Sequence, residues 1–282
     1  MLVELAVGDA YGAGFEFRNA LYIRAFNNLK RHRRAALTIG KPGRYTDDTQ
    51  MTIAVVEAML TGEPFTPELL ADHFVVAFKR DPRNGYAPRF ARFLRSVDTG
   101  AEFLERIRPT SDRSGAAMRA GPIGLLDSVD VVLERAKIQA KVTHDTEAGV
   151  RSAQAAALMV HHFAKLDGLP GELSSFVGQH VPGDWARPWT GRVSMAGLEC
   201  VRAAITSVAE TDSLSQLLQR CVSYGGDVDT VAAIALAAAS WSAAHDRDLP
   251  EQLVAGLENG TYGRDYLGRL DDQLQARLAR SA

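Results

Sequence analysis

The chain has 282 residues, enough to bury a core, and is 46% hydrophobic and 23% charged. Its net charge of -2 and pI near 6.4 give no overall electrostatic footprint for nucleic acid or an anionic membrane, which argues against both as partners. Cys200 and Cys221 lie far apart without paired spacing, so they read as reduced packing residues in a cytoplasmic protein; the start of the chain lacks a signal-peptide pattern, and no apolar run is long enough to span a bilayer.

The first stretch, Met1 to Phe17, is apolar around Gly8, Gly12 and Gly14, a spacing that predicts close backbone approach. Its glycines match neither a phosphate loop nor a dinucleotide fingerprint. Glu16 stands between two phenylalanines, and such a carboxylate is either splayed to solvent or held for a purpose, because burial without a partner costs several kcal/mol. Residues 18–44 are mixed, with Lys30, Arg31, Arg33 and Arg34 expected on a solvated face or loop.

Tyr45-Thr46-Asp47-Asp48-Thr49-Gln50 then opens a run with apolar residues through Leu60, closed by Gly62 and Pro64. Thr and Asp at a helix start are cap chemistry, but adjacent carboxylates repel and burying both requires a cation. A second turn of this kind, Gly225-Gly226-Asp227-Val228-Asp229-Thr230, leads into a small-residue run to Ser240. Each turn alone can be a plain cap. Two of them at the heads of buried helices would, if the heads meet, converge four carboxylates on one point, an oxygen donor set suited to Mg²⁺ or Mn²⁺ rather than zinc.

Between these turns the pattern is helical. The i, i+3, i+4, i+7 template fits Leu70 to Ala77, Phe90 to Val97, Val129 to Ala136, Ala153 to Val160 and Leu214 to Cys221, and no comparable period-2 run occurs. The expectation is an all-α, single domain over 1–282, with connections at Pro82 to Gly85, Leu169 to Gly171 and Val181 to Gly191. Three connections carry polar groups. Ser114-Gly115 precedes an expected helix start at Ala116 to Arg119, suited to a diphosphate; Thr143-His144 precedes another helix; Gly183-Asp184-Trp185 lies in a Pro-rich loop. Each also fits a plain cap or loop residue.

Gly8 to Glu16, Thr46 to Thr49, Ser114 to Arg119 with Pro122-Ile123-Gly124, Thr143-His144 and Gly225 to Thr230, in this order, resemble the ADP-ribosylglycohydrolase family, which includes the enzymes that reactivate dinitrogenase reductase. The resemblance covers most of the chain. It implies an all-α, orthogonally packed helical fold holding two divalent cations, Mg²⁺ or Mn²⁺, with Thr46, Asp47, Asp48, Asp227, Asp229 and Thr230 as ligands. It further implies that Glu16 is a ligand or proton acceptor, that Asp47 and Asp229 share in catalysis, and that Ser114, Gly115 and His144 line an ADP-ribose cleft. Asp81 to Tyr86 looks like a family loop over that cleft, with no role assigned to Tyr86. Where relatives often carry a further hydroxyl or Asn before the loop glycine, this chain has Arg113-Ser114.

The implied activity is hydrolysis of the glycosidic bond of an ADP-ribosylated protein or small-molecule conjugate, releasing ADP-ribose. The alternatives are a Mg²⁺-dependent nucleotide phosphohydrolase and a catalytically inactive ADP-ribose-binding relative. No Gly-x-Ser-x-Gly elbow or Cys-His pairing supports a nucleophilic hydrolase.

Overall fold

Polar caps and apolar periodicity divide the chain into helices, seen in a computed structural model that describes residues 1–35 and 41–280; residues 36–40 of the mixed 18–44 segment lie outside the described residues. The helices are α1 (Leu2–Gly12), α2 (Ala20–Phe26), α3 (Asp47–Thr61), α4 (Pro67–Arg80), α5 (Pro88–Arg95), α6 (Gly100–Arg106), α7 (Val129–Lys141), α8 (Glu147–Ala164), α9 (Leu173–His180), α10 (Gly197–Ala209), α11 (Leu214–Ser223), α12 (Val228–Ala239), α13 (Glu251–Ala255) and α14 (Arg264–Leu278). Among the described residues no sheet forms, and extended segments meet only at isolated bridges such as Val193 with Gly226. The all-α expectation holds. Thr66, Ser128, Thr146 and Ser213 cap α4, α7, α8 and α11 by accepting a backbone N–H of the first turn.

Helix α12 is buried along its entire length, with α1, α10 and α11 packed around it. Small side chains make this possible, since Ala dominates the helix after Val231. Helix α1 lies closest: a Cβ on Gly8 would stand 2.7 Å from the Ala232 carbonyl oxygen, and one on Gly12 would overlap the Asp229 backbone. The N-terminal glycines thus permit the contact that their spacing predicts. Helix α3 packs on α1, α4 and α14, which brings its first turn toward the head of α12.

Two local expectations fail. The Phe90 to Val97 template overruns, because α5 stops at Arg95 and Val97 is buried beyond its end. The expected helix start at Ala116 to Arg119 is absent: only 3-10 turns form at Ser114–Ala116 and Gly121–Leu125. Gly115, Gly121, Gly124 and Pro122 each disfavour an α-helix there, and the Ser114 N–H is taken by the Met195 carbonyl at 2.9 Å.

Candidate active site

The second Asp turn is shaped by its glycines. Gly225 and Gly226 adopt φ of 69° and 97°, and a Cβ on Gly226 would overlap the Val193 carbonyl. Val193 brackets the turn, donating to the Gly225 carbonyl at 2.9 Å and accepting the Asp227 N–H at 3.2 Å. Asp227 occupies the N-cap of α12 yet makes no side-chain cap bond. Its carboxylate accepts instead from Ser114 Oγ at 3.0 Å and Cys200 Sγ at 3.5 Å. The plain-cap reading of this turn is therefore insufficient.

The first Asp turn is tied down by Asp9, an acid in the middle of apolar α1. Its carboxylate accepts the N–H and hydroxyl of Thr46, at 2.9 and 2.8 Å, and the N–H and hydroxyl of Thr49, at 3.0 and 2.5 Å. Four donors satisfy one buried carboxylate, so Asp9 clamps the head of α3 onto α1. Sequence reasoning passed over Asp9; the signal was an acid well inside an apolar run, beyond the first-turn Glu4. Thr46 also caps α3 weakly, accepting the Asp48 N–H at 3.4 Å, and with its proton committed to Asp9 it keeps lone-pair capacity for a ligand.

The two turns lie close enough for the Asp227 charge to raise the proton affinity of Asp48 and the Asp48 charge that of Asp229, but the four carboxylates do not converge on one point. Among the described residues the group whose oxygens lie within 4.8 Å of one another is Glu16, Asp227 and Asp229, without Asp47 or Asp48. Glu16 is held there because Phe17, in the left-handed region at φ 51°, donates its N–H to the Gly226 carbonyl at 3.0 Å. The Thr230 hydroxyl lies between the turns, where it favours the charged form of both Asp48 and Asp227. Asp48 Oδ1 and Asp229 Oδ1 are buried without a hydrogen-bond partner.

Among the described residues no Lys or Arg forms an ion pair with Asp9, Glu16, Asp47, Asp48, Asp227 or Asp229. Burial, reinforced by neighbouring carboxylates, pushes Asp47, Asp48 and Asp229 well above the usual carboxylate range. Burial, then the charges of Asp227 and Asp9, pushes Glu16 up to about 7. Clustered acids with orphaned oxygens and no paired cation fit a divalent-cation site in donor chemistry and in charge.

Asp47 is half-buried and is set by the loop after α4. Its N–H donates to the Asn84 carbonyl at 3.0 Å, and Gly85, at φ 104°, leaves the space that a Cβ would take from Asp47 Oδ1. Arg83 pins this loop: it is buried, pairs with Asp81 and Glu258, and lies over the Tyr45 ring at 3.8 Å. Tyr86 is buried and donates to Gln50 Oε1 at 2.8 Å, a packing role beneath the same loop.

Ser114, Gly115 and His144 come together on the far side of Asp227. A Cβ on Gly115 would stand 2.9 Å from His144 Cε1 and 3.2 Å from its Nε2. Behind His144 runs a buried chain: Arg119 donates to Gln139 Oε1 at 2.7 Å and to Thr143 Oγ1 at 2.7 Å, and Thr143 Oγ1 lies 2.6 Å from His144 Nδ1. Thr143 Oγ1 accepts from Arg119 and shares its other contact with Nδ1; donation of the Thr143 proton to Nδ1 would leave the ring proton on Nε2, on the Gly115 side. Burial and the Arg119 charge lower His144 to about 3, which keeps the ring neutral. Arg119, whose guanidinium lies 4.4 Å over the Phe74 ring, was not picked out by sequence reasoning as a site residue. By contrast Thr146 is a plain N-cap, and Trp185 is a buried loop aromatic donating to the Val181 carbonyl.

The sequence profile described as ADP-ribosylglycohydrolase matches residues 1–282. The human ADP-ribosylhydrolase ARH3 is 26% identical over 298 residues, covering 83% of this chain and 82% of that one. The ADP-ribosyl-[dinitrogen reductase] glycohydrolase of Rhodospirillum rubrum is 27% identical over 269 residues, covering 90% of this chain and 87% of that one. A solved structure titled ADP-ribosylglycohydrolase-related protein complex shares the fold, with a TM-score of 0.71 at 21% identity over 98% of this chain and 95% of that chain. With the whole length matched, the chain belongs to the ADP-ribosylglycohydrolase family.

Proposed function

We propose that this protein hydrolyses the bond between the anomeric carbon of an ADP-ribosyl group and its acceptor, a modified protein or small-molecule conjugate, and releases free ADP-ribose. The observation that carries this reading is the close approach of the two Asp turns, with orphaned Asp48 and Asp229 oxygens, beside Ser114, Gly115 and His144. Family membership and the printed activities of the human and Rhodospirillum relatives support it. Turns from both ends of the chain build the site, which supports one catalytic domain over 1–282.

Thr46, Asp47, Asp48, Asp227, Asp229 and Thr230 would hold two divalent cations, Mg²⁺ or Mn²⁺. When bound, such cations supply positive charge that orients ribose hydroxyls and makes water more acidic. Glu16, beside Asp229, takes the proton of the attacking water as its oxygen bonds to the anomeric carbon and the acceptor departs with its electron pair. Asp47 and Asp229 hold the reacting group in place, and the Ser114-Gly115 loop and the His144 Nε2–H bind the remainder of ADP-ribose. Two buried free cysteines, Cys200 and Cys221, fit a reducing cytoplasm. Among the described residues no helix is long and apolar enough to cross a membrane.

The test is product analysis on ADP-ribosyl-arginine and ADP-ribosyl-serine peptides with and without chelator. Free ADP-ribose, formed only with Mg²⁺ or Mn²⁺, supports the reading. AMP or phosphate would make the protein a phosphohydrolase, and binding of ADP-ribose with no product from any linkage would make it an inactive relative.

A further inference from the structure

Two grooves share Arg18 in their linings. One, of about 500 Å³, is lined by Arg18, Arg24 and Arg192 and reaches Gly225 of the second Asp turn. The other, of about 540 Å³, is lined by Arg18, Lys30, Arg31, Arg33 and Arg34. Among the described residues no carboxylate lines either groove. Among the described residues none of these cations forms an ion pair, although acids slightly outnumber bases in the chain. Arg18 lies 4.7 Å over Tyr22, Arg33 4.2 Å over Phe26 and Arg192 5.8 Å over Phe17, while Arg18 donates to the Arg34 carbonyl at 3.5 Å and Arg192 to the Arg18 carbonyl at 3.4 Å, so rings and carbonyls position these three guanidiniums and, among the described residues, no carboxylate neutralises them. Phe17 follows Glu16 directly, and Gly225 of the second Asp turn lines the first groove, so this basic face adjoins the carboxylate site.

We propose that this basic face docks an acidic segment of the protein that carries the ADP-ribosyl group. The inference rests on the hydrolase reading for its biological sense but not for its test. Guanidinium forks bind carboxylates through paired N–H groups, and clustering without internal acids concentrates that attraction. Single-stranded nucleic acid fits less well, since it needs open rings for bases to stack on. Here Tyr22 and Phe26 pack on each other at 4.7 Å and are already covered by Arg18 and Arg33.

The experiment measures anisotropy of a labelled Asp/Glu-rich peptide, without ADP-ribose, against full-length wild type and an R24A/R31A/R34A variant, with a neutral peptide and an oligo-dT as comparators. Arg24, Arg31 and Arg34 are exposed side chains outside the proposed catalytic set, so the variant should fold and keep turnover on ADP-ribosyl-arginine itself. Expected is saltable binding of the acidic peptide that weakens at least about tenfold in the variant, and a KM on acidic-flanked ADP-ribosyl peptides that rises with kcat unchanged. Equal affinity for acidic and neutral peptides, or no loss in the variant, overturns the proposal. Tighter binding of oligo-dT than of the acidic peptide overturns it in favour of nucleic acid. Failure of hydrolysis with peptide binding intact would remove the catalytic reading and leave the docking surface standing.

Discussion

Asp9 of α1 accepts both the backbone N–H and the hydroxyl of Thr46, at 2.9 and 2.8 Å, and so fixes the head of α3 on the helix that also presses against Asp229. One carboxylate thereby aligns two turns that lie far apart in the chain. Asp9→Asn keeps the shape but sets an NH₂ against a ring of donors. We expect it to lower stability by about 1–3 kcal/mol and to weaken metal binding, read by denaturant melts and Mn²⁺ titration. Unchanged stability and affinity would mean that the clamp is incidental.

Gly85→Ala should act on Asp47. A Cβ at φ 104° is strained and also overlaps Asp47 Oδ1, so the carboxylate must move while the helical core stays intact. Turnover should fall on the order of tenfold or more, with unaltered circular dichroism. Full activity would show that Asp47 is dispensable or readily re-placed.

Thr143→Val should free the His144 tautomer. In wild type, ring ¹⁵N shifts should report Nδ1 unprotonated and Nε2 protonated. The variant should show mixed tautomers, with ADP-ribose Kd raised by roughly tenfold for a lost hydrogen bond to the ligand. Tautomer mixing without an affinity change would remove His144 from the ligand site.

Metal-free protein should be stabilised by acid. Folding raises Glu16 from 4.5 to about 7 by burial and by the Asp227 and Asp9 charges, and raises Asp47, Asp48 and Asp229 still more clearly. A carboxyl with a raised folded pKa binds its proton more tightly folded than unfolded. Its contribution is full below the unfolded value and is lost as pH rises through the folded one. In chelator, Tm should therefore fall from pH 4.5 through about 7, and Mg²⁺ or Mn²⁺ at pH 8 should restore it. A Tm in chelator that is flat or rises over that range contradicts the picture of uncompensated carboxylates.

The elements carrying local signals were legible in the sequence. Thr46 with its paired acids, Gly225-Gly226-Asp227, and the α1 glycines each declare a cap, a turn or a close approach through their own chemistry. Asp9 was not legible, because its meaning depends on Thr46 and Thr49, brought to it only by packing. Arg119 was hidden for the same reason: its partners Gln139 and Thr143 lie a helix away. At Ala116 to Arg119 the helix-forming residues are outweighed by the glycines and proline that surround them, and only 3-10 turns form.

The two Asp turns together should form one cation site that binds ADP-ribose. Thermal melting of chelator-stripped protein, with metal and ADP-ribose added singly and together beside Asp229→Ala, tests it directly. A ligand at about a hundred times its Kd adds roughly 2.7 kcal/mol, which a melt resolves. Metal should raise Tm, ADP-ribose should raise it further only with metal present, and Asp229→Ala should lose both shifts. Wild-type protein whose Tm ignores metal and ADP-ribose alike would contradict the claim and reduce the two turns to helix caps.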